Sequence, residues 1–388
     1  MWTFIFRRLL YMIPLLLVVS FVGFFITWVE PGDVLTGCEF SAPKAVCDAL
    51  RVQLGLDQPF IVQYYIWIRN IVCCTDVMDN KDPSHPTPWK VWSVDSTPPF
   101  VHYRPYFGES QLQRQPVVDV LFGVGGKSLV FSLVIVGLTT LFVWMIAVPI
   151  GIFSATRKYS VADHTFTFMG FMGLSFPDFF LALLSLAFLL AIQVGTWCGP
   201  VVDFFRAGAG GTVDPSTGLI DPTTCQGLSV GGLFSNEFIL APWSWAKARN
   251  FIWHLLPLVI IVGAVNLASI MRYMRSNLLD VLALPYVKTA RAKGLTERKV
   301  IYKHAARNAI NPLITMLGYW IPTMFESLMV AAAVLNVDVV EKNYWSAINT
   351  QDQPVVMAGI LFFAVVLLVG NLIADILLVF SDPRIRYE

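Results

Sequence analysis

Long apolar runs alternate with polar segments along this chain of 388 residues. A helix needs about 20 mostly apolar residues to cross the hydrocarbon core of a bilayer. Runs suited to that task lie at about 9–29, 129–153, 165–194, 251–270, 313–335 and 355–380. The pattern predicts an all-α polytopic membrane protein with about six transmembrane helices.

The first run is predicted to be a retained membrane anchor. It follows Arg7 and Arg8, and its apolar core is longer than that of a signal peptide. The small-residue cleavage site of a signal peptide is also missing. Residues 1–29 are therefore expected to form an N-terminal transmembrane helix.

The third run is interrupted at Pro177. Proline removes one backbone donor and leaves a carbonyl without its helical partner. In lipid both groups must find protein or water. We therefore expect this break to face the interior of the helix bundle, and Pro177 is a candidate residue of a translocation path.

Composition supports the same class of protein. Hydrophobic residues make up 56% of the chain and charged residues 14%, which excludes an ordinary soluble enzyme. The formal net charge is only +1, so nothing indicates nucleic-acid binding.

The positions of the positive charges predict the orientation. Four segments hold 15 of the 27 Lys and Arg residues in about 64 positions, and they are 1–8, 155–164, 272–309 and 381–388. The other loops hold 12 in about 172 positions. Cytoplasmic loops carry the excess of Lys and Arg, so both termini are predicted to be cytoplasmic.

This orientation divides the chain into regions. Residues 30–127 form an extracytoplasmic region with an insertion at about 73–106. Residues 128–380 form the transmembrane core, which includes a second extracytoplasmic insertion at 195–250 and the cytoplasmic loop 272–309. Residues 381–388 form a cytoplasmic C-terminus.

The loop 272–309 contains a short predicted helix. Pro285 suits the first position of a helix and Gly294 suits the left-handed residue that ends one. A helix over 285–293 is about 13 Å long, which is too short to span a membrane. Thr296 is a plausible N-cap for a second helix.

The two faces of the short helix differ. One face is apolar and carries Tyr286, Val287 and Ala290. The opposite face is basic and carries Lys288, Arg291 and Lys293. Such a helix is expected to offer a small apolar contact inside a cationic border to another protein.

The run Tyr286-Val-Lys-Thr-Ala-Arg-Ala-Lys-Gly294, followed by His304-Ala-Ala-Arg-Asn308 and Pro312, resembles the EAA loop of one membrane-protein family. These are the inner-membrane permease subunits of ATP-binding-cassette (ABC) importers, in the dipeptide and oligopeptide branch. The family's Glu-Ala-Ala corresponds here to Lys288-Thr289-Ala290, which is a departure. The alternative to this resemblance is a basic cytoplasmic loop of the kind that any multi-spanning membrane protein can have.

The resemblance covers most of the chain outside 73–106 and 195–250. It implies a type I ABC importer permease in the bacterial cytoplasmic membrane, with no catalytic residue of its own. The implied partners are a second permease subunit, two ABC ATPases that carry ATP and Mg, and an extracytoplasmic substrate-binding protein. Tyr286, Ala290, Arg291 and Gly294 are the implied ATPase-docking residues.

Ionisable residues within predicted spans are candidates for the path, because a charge in hydrocarbon is costly and faces a partner or water. Glu326 is the most informative, since the family mostly has small residues there. It is either a pathway residue that meets a peptide amine or a neutral, hydrogen-bonded core glutamate. After it, Val334-Leu-Asn-Val337 departs from the family pattern, which leaves the substrate class open.

Two other functions remain to be weighed. An ion-coupled secondary transporter usually has internal symmetry and paired broken helices, whereas this sequence has one break and no repeat. A non-transporting receptor or scaffold needs no polar residues inside its spans. The histidines and cysteines show no metal-ligand spacing.

All six cysteines fall in segments predicted to lie outside, and they are Cys38, Cys47, Cys73, Cys74, Cys198 and Cys225. Disulfides persist in an oxidising compartment. Cys38 with Cys47 and Cys198 with Cys225 are the nearest pairs within each insertion, although spacing does not decide connectivity. Buried free thiols are the alternative.

We predict at least two disulfides, confined to the extracytoplasmic insertions. Each bridge is expected to contribute about 3 kcal/mol through closure of a loop. Thiol counting on denatured, non-reduced protein from native membranes tests this. Six free thiols would rule the prediction out.

Overall fold

Helices form most of the described chain. A computed structural model describes residues 2–29, 43–53, 56–72, 92–93, 102–103, 106–193, 231–235, 238–239 and 241–381. The first helices are α1 Trp2–Val29, α2 Lys44–Gln53, α3 Phe60–Val72, α4 Val117–Phe122, α5 Lys127–Thr156, α6 Val161–Ser175 and α7 Asp178–Gln193. The later ones are α8 Trp245–Leu282, α9 Pro285–Ala292, α10 Glu297–Lys299, α11 Ala306–Ala309, α12 Asn311–Val334, α13 Val340–Asn349 and α14 Gln353–Ser381.

The non-α elements are short. A 3₁₀ turn covers Val124–Gly126, and a π-helical turn covers Val300–Ala305 between α10 and α11. Strands β1 Trp92–Ser93 and β2 His102–Tyr103 form one antiparallel pair. The expected all-α class is therefore confirmed.

The described residues contain six candidate spans if the broken one is counted. Five helical stretches are long and apolar enough to cross a membrane, and they are Ile5–Val29, Val117–Thr156, Trp245–Leu282, Asn311–Val334 and Gln353–Ser381. Helices α6 and α7 form a sixth candidate, bent by 97° at the break that contains Pro177. This agrees with the six runs in the sequence.

Helix α8 is longer than its predicted span. We expected an end near Ile270, where Arg272 and Arg275 begin the basic segment, but the helix continues to Leu282. No proline or glycine interrupts it after Gly263, and buried Met271 and Leu278 continue its apolar face. At 38 residues it is about 57 Å long, so it extends well beyond the hydrocarbon core.

The chain divides into two compact units. The first comprises Met1–Leu129 and Asn343–Val365. In it, α3 packs on α1 through aromatic side chains, which are Phe21, Phe24, Phe60, Tyr64 and Trp67. These ring contacts hold α3, a helix in the polar stretch that follows the first span, against α1.

Cys47 lies in the same unit, on α2. It is buried and disulfide-bonded. The other five cysteines, its partner among them, lie outside the described residues, so the pairings Cys38–Cys47 and Cys198–Cys225 stay predictions.

The second unit comprises Val130–Lys342 and Val366–Glu388. Its core is built from α5, α6, α8 and α12, with the loop from α9 to α11 packed onto it. Helices α5 and α8 approach closely at Gly151, where a Cβ would lie 2.8 Å from the Met271 carbonyl oxygen. Only glycine allows this separation.

An ion pair between buried Asp163 and half-buried Arg275 joins the first turn of α6 to α8. The Arg275 guanidinium donates through Nε and Nη2 to the two oxygens of Asp163, each at 2.9 Å. Ser154 Oγ and the Tyr159 amide also donate to this carboxylate. Because both charges are paired and hydrogen-bonded, the pair is tolerated in an apolar setting.

A second buried carboxylate lies at the start of α13. Glu341 is 0% exposed, and its Oε2 accepts a 2.7 Å hydrogen bond from Ser132 of α5. Its Oε1 finds no hydrogen-bond partner among the described residues. Burial, partly offset by Ser132, raises the pKa of Glu341 to about 7 from 4.5.

We predict that Glu341 makes stability depend on pH. The folded state binds the Glu341 proton more tightly than the unfolded state. The resulting contribution to folding stability is therefore fully present below the unfolded pKa of 4.5 and is lost as the pH rises through the folded pKa of about 7. The pKa difference corresponds to about 3 kcal/mol. Thermal melting of wild type and Glu341→Gln between pH 4.5 and 8 measures it.

The Gln variant should lose most of this pH dependence and be the more stable protein at pH 8. Asp338→Asn is the matched control, because the Asp338 side chain is 83% exposed. Parallel wild-type and Glu341→Gln profiles would contradict the prediction.

Candidate functional site

The short helix of the basic loop is formed as its sequence signals indicate. Helix α9 begins at Pro285, so the proline lies in its first turn, and Lys293 is the C-cap residue. Gly294 has φ +75°, and a Cβ placed there would have no atom within 4 Å. The helix is one residue shorter than predicted, and the turn needs a residue that accepts positive φ.

The apolar face of α9 is turned inward. Val287 is 0% exposed and Ala290 is 8% exposed. Both belong to the hydrophobic cluster that includes Met274 and Leu278 of α8 and Leu313 of α12. The expectation that Tyr286, Val287 and Ala290 together offer an apolar contact to a partner is therefore wrong, because this chain already buries two of them.

Tyr286 lies apart from these two residues. Its side chain is 40% exposed, and its hydroxyl accepts a 2.7 Å hydrogen bond from Asn308 Nδ2. The hydroxyl also lies 3.5 Å from the His304 carbonyl oxygen. Tyr286 thus ties α9 to the returning segment and stays within reach of a partner.

The outward face of α9 is mostly small and polar. Its exposed positions follow helical spacing and are Pro285, Lys288, Thr289 and Ala292. Arg291 is also exposed, but its guanidinium pairs with Glu297, with Nη2 2.6 Å from Oε1. Arg291 holds the pKa of Glu297 below its usual value through this hydrogen bond, so both groups stay charged.

The second predicted helix is a composite. It runs from Glu297 to Ala309 as α10, the π-helical turn and α11. Thr296 is at the N-cap, but no side-chain hydrogen bond caps the helix; its carbonyl accepts from the amides of Lys299 and Val300. Buried Val300 and Ala305 anchor the composite on the same core as α9.

Pro177 lies at the break between α6 and α7 and is exposed on this chain. The expectation that the break faces the interior of the chain's own bundle is not met. The carbonyl of Pro177 itself accepts from the amides of Phe180 and Leu181, as expected of a residue that precedes a helix.

Glu326 lies on an exposed stripe of α12. The stripe also carries the exposed side chains of Pro312, Thr315 and Tyr319. Among the described residues no hydrogen bond or ion pair to the Glu326 carboxylate is found. The interpretation as a hydrogen-bonded core glutamate is therefore wrong for this chain.

Pro177 and Glu326, the two predicted path residues, each precede one partner of a hydrogen bond between α7 and α12. Ser327 Oγ donates to Asp178 Oδ2 at 2.5 Å. Asp178 follows Pro177 and Ser327 follows Glu326, so this bond brings the break in the span and the exposed carboxylate to the same part of the second unit.

The sequence reasoning missed the pair Asp163–Arg275 and the burial of Glu341. The sequence contains a signal for the position of Asp163, because Ser160 followed three residues later by an acidic residue is a helix-capping pattern. In the structure Ser160 Oγ accepts a hydrogen bond from the Asp163 amide. No local signal marks Glu341. Its burial depends on α5, more than 200 positions away.

The described residues contain no group of three His, Cys, Asp or Glu side chains that suits a metal ion. Instead, a multi-span helical body holds a short basic helix on its core and leaves one face of that helix free. These features define a polytopic membrane protein with a short basic helix packed on its core.

Comparisons with known proteins identify the class. Residues 147–387 match the family described as the binding-protein-dependent transport system inner membrane component. Residues 1–92 match the N-terminal region of such components. The chain belongs to this family of ABC transporter permeases, which are multi-pass proteins of the inner membrane.

Three relatives span essentially the whole chain. It is 30% identical to the oligopeptide transport system permease protein AppB of Bacillus subtilis, with 100% of both chains covered. It is 28% identical to the dipeptide permease protein DppB of Alkalihalophilus pseudofirmus, with 98% of both covered. It is 26% identical to DppB of Escherichia coli, with 100% of both covered.

We predict that Gly294→Val impairs coupling between ATP hydrolysis and transport. A β-branched residue at φ +75° is strained by about 1 to 2 kcal/mol or more, so α9 is reoriented. Gly294→Asn is the matched control, because asparagine tolerates this conformation. ATP-dependent uptake in vesicles should fall severalfold for Val and stay near wild type for Asn; equal rates for all three proteins would contradict the prediction.

Proposed function

We propose that this chain is a permease subunit of an ATP-driven importer that moves peptides across the cytoplasmic membrane. The observation that carries the proposal is the burial of Val287 and Ala290 in the same apolar core as α8 and α12. A partner that moves α9 thereby moves the spans. The relatives named as oligopeptide and dipeptide permeases support peptides as the substrate class.

The proposed complex contains a second, homologous permease, two ABC ATPases and an extracytoplasmic binding protein. ATP and Mg bind to the ATPases, and this chain supplies the docking helix and half of the path. Both termini and α9 face the cytoplasm, as the distribution of Lys and Arg favours. The two insertions face outward, where the binding protein docks.

The docking residues have two roles in this proposal. Tyr286 and Arg291 lie at the surface of the loop and contact the ATPase. Ala290 is buried and Gly294 forms the turn, so these two residues position α9.

The proposed mechanism is alternating access. Closure of the ATPases on ATP moves the α9 helices of both permeases, and the path opens outward to receive a peptide. The exposed Glu326 is placed in this path, where its carboxylate binds the peptide's amino terminus. An unpaired carboxylate that faced lipid would be costly, which favours a water-filled path at this position.

The proposal is tested by reconstituting the complex from native membranes into vesicles. Uptake of a labelled dipeptide should require ATP, the binding protein and active ATPases. Uptake driven by an ion gradient without ATP hydrolysis would instead identify a secondary transporter. Absence of uptake, with a ligand bound to the insertions, would identify a receptor.

We predict that Glu326→Gln lowers uptake of a dipeptide at least about tenfold, because a charge-assisted hydrogen bond is worth about 1.5 to 3 kcal/mol. Uptake of the N-acetylated dipeptide, which has no amine, should be low in wild type and unchanged by the substitution. Glu326→Asp keeps the charge and should retain part of the activity. Equal uptake of the free dipeptide by wild type and Glu326→Gln would remove Glu326 from the path.

A further inference from the structure

The turn between α5 and α6, residues 157–160 and here called the basic turn, carries two adjacent exposed cations. They are Arg157 and Lys158, and neither has an ion-pair partner in the part of the chain that the structure describes. The Arg157 guanidinium carbon lies 5.0 Å from the centre of the Phe153 ring, and Lys158 Nζ lies 6.0 Å from the centre of the Tyr159 ring. A ring face attracts a cation, so both charges have a preferred position and stay open to an anion.

The backbone of the basic turn is strained at Tyr159, which has φ +64°. A bulky residue keeps this left-handed conformation only where its surroundings impose it. Here the Tyr159 amide donates a 2.9 Å hydrogen bond to Asp163 Oδ2, and Ser160 caps α6 by accepting from the Asp163 amide. The turn is therefore held in a conformation in which the Tyr159 side chain is 76% exposed.

Asp163, the carboxylate nearest to the basic turn in the sequence, does not oppose an anion there. Its side chain is only 3% exposed. Its two oxygens accept from the Arg275 guanidinium, each at 2.9 Å, so its charge is neutralised on the inner side. The exposed charges of the turn are thus both positive.

An apolar stripe on α6 begins where the basic turn ends. Its exposed side chains follow helical spacing and are Val161, Phe168 and Met172. Thr165 lies on the same face, but its hydroxyl donates to the Val161 carbonyl at 2.9 Å and needs no partner outside the helix. Helix α6 is part of a candidate membrane span, so this stripe is suited to contact with lipid acyl chains.

The basic turn and the stripe together match the two parts of an anionic phospholipid. Arginine and lysine are strong donors to phosphate oxygens, and the stripe offers a surface for an acyl chain. Tyr159 suits the boundary between these parts, because tyrosine is enriched at the interface of membrane and water. A cleft of a soluble protein fits less well, since it would cover the cations and leave the stripe, which continues along the span.

We infer that the basic turn and the stripe Val161, Phe168 and Met172 form a binding site for one anionic phospholipid. Arg157 and Lys158 bind the headgroup phosphate, and an acyl chain lies along α6. The inference requires only that the chain spans a membrane and does not depend on the transported substrate. Because Arg275 links the first turn of α6 to α8, the bound lipid also stabilises this part of the second unit.

The experiment uses the full-length chain in its native complex, purified in detergent and exchanged into micelles with equal amounts of phosphatidylcholine and phosphatidylglycerol. Native mass spectrometry counts each phospholipid retained on this subunit. Wild type is compared with Arg157→Gln combined with Lys158→Gln. The matched control is Arg298→Gln combined with Lys299→Gln, which removes another exposed Arg-Lys pair. That pair is followed by buried Val300 rather than by an exposed apolar stripe.

The basic-turn variant should lose retained phosphatidylglycerol at least about tenfold, because each basic residue adds to the attraction for an anionic lipid. It should keep its phosphatidylcholine, and the control should match wild type. Thermal melting in lipid nanodiscs is the second measurement. Phosphatidylglycerol should raise the melting temperature of wild type and control relative to phosphatidylcholine, since a ligand that binds only the folded state stabilises it. The basic-turn variant should show no such rise.

Tyr159→Gly separates lipid binding from folding. Glycine adopts φ +64° without strain, so this variant should melt in phosphatidylcholine at or above the temperature of wild type. Loss of the ring should nevertheless reduce the rise that phosphatidylglycerol causes. An undiminished rise would overturn the placement of Tyr159 in the site.

Other outcomes overturn the inference as a whole. Equal retention of phosphatidylglycerol by wild type and both double variants would show that the basic turn binds no lipid. Equal loss of both phospholipids would show that the stripe holds lipid without selecting its charge. The same rise in melting temperature with inorganic phosphate would assign the turn to a soluble anion. Loss of another subunit from the complex, with lipid retained, would make the turn a protein contact.

Discussion

The burial of two small side chains on α9 is the constraint on which the proposed docking arrangement depends. Val287 and Ala290 lie in one apolar cluster with residues of α5, α8 and α12. A helix of eight residues is marginal in water on its own, so its structure comes from this packing. The same packing makes it part of the body that spans the membrane. A force on α9 is therefore transmitted without a separate linker, since Pro285 follows the end of α8 at Leu282 by only three positions.

Most of the polar groups discussed in the second unit belong to one of two sets. The first set is buried or half-buried and paired, as with Asp163 and Arg275, where two 2.9 Å hydrogen bonds fix the first turn of α6 against α8. Such a pair holds a particular geometry and adds little net stability. The second set is exposed and has no hydrogen-bond or ion-pair partner among the described residues, as with Glu326 and Lys288. In the proposed function these exposed groups are the ones that meet the substrate and the partner proteins.

Glu341 belongs to neither set. It is fully buried, one of its oxygens accepts a hydrogen bond from Ser132, and the other has no partner among the described residues. Its raised pKa is the consequence, because removing the proton leaves a charge in an apolar site. The segment that connects α12 to α13 is thus held most firmly when this carboxyl group is neutral.

The sequence by itself determined the class of fold, the number of spans and the bounds of α9. Each of these follows from local chemistry, namely the length of an apolar run, a proline at a helix start and a glycine at its end. Tertiary structure alone decided which face of α9 is free. A helix face that carries Val287 and Ala290 is equally suited to contact a partner protein or the core of its own chain. Only the positions of α8 and α12 determine that it packs on the core. The same holds for Glu326 and Glu341, two glutamates of which one is exposed and the other buried. Burial is set by residues distant in the sequence, and no local pattern encodes it.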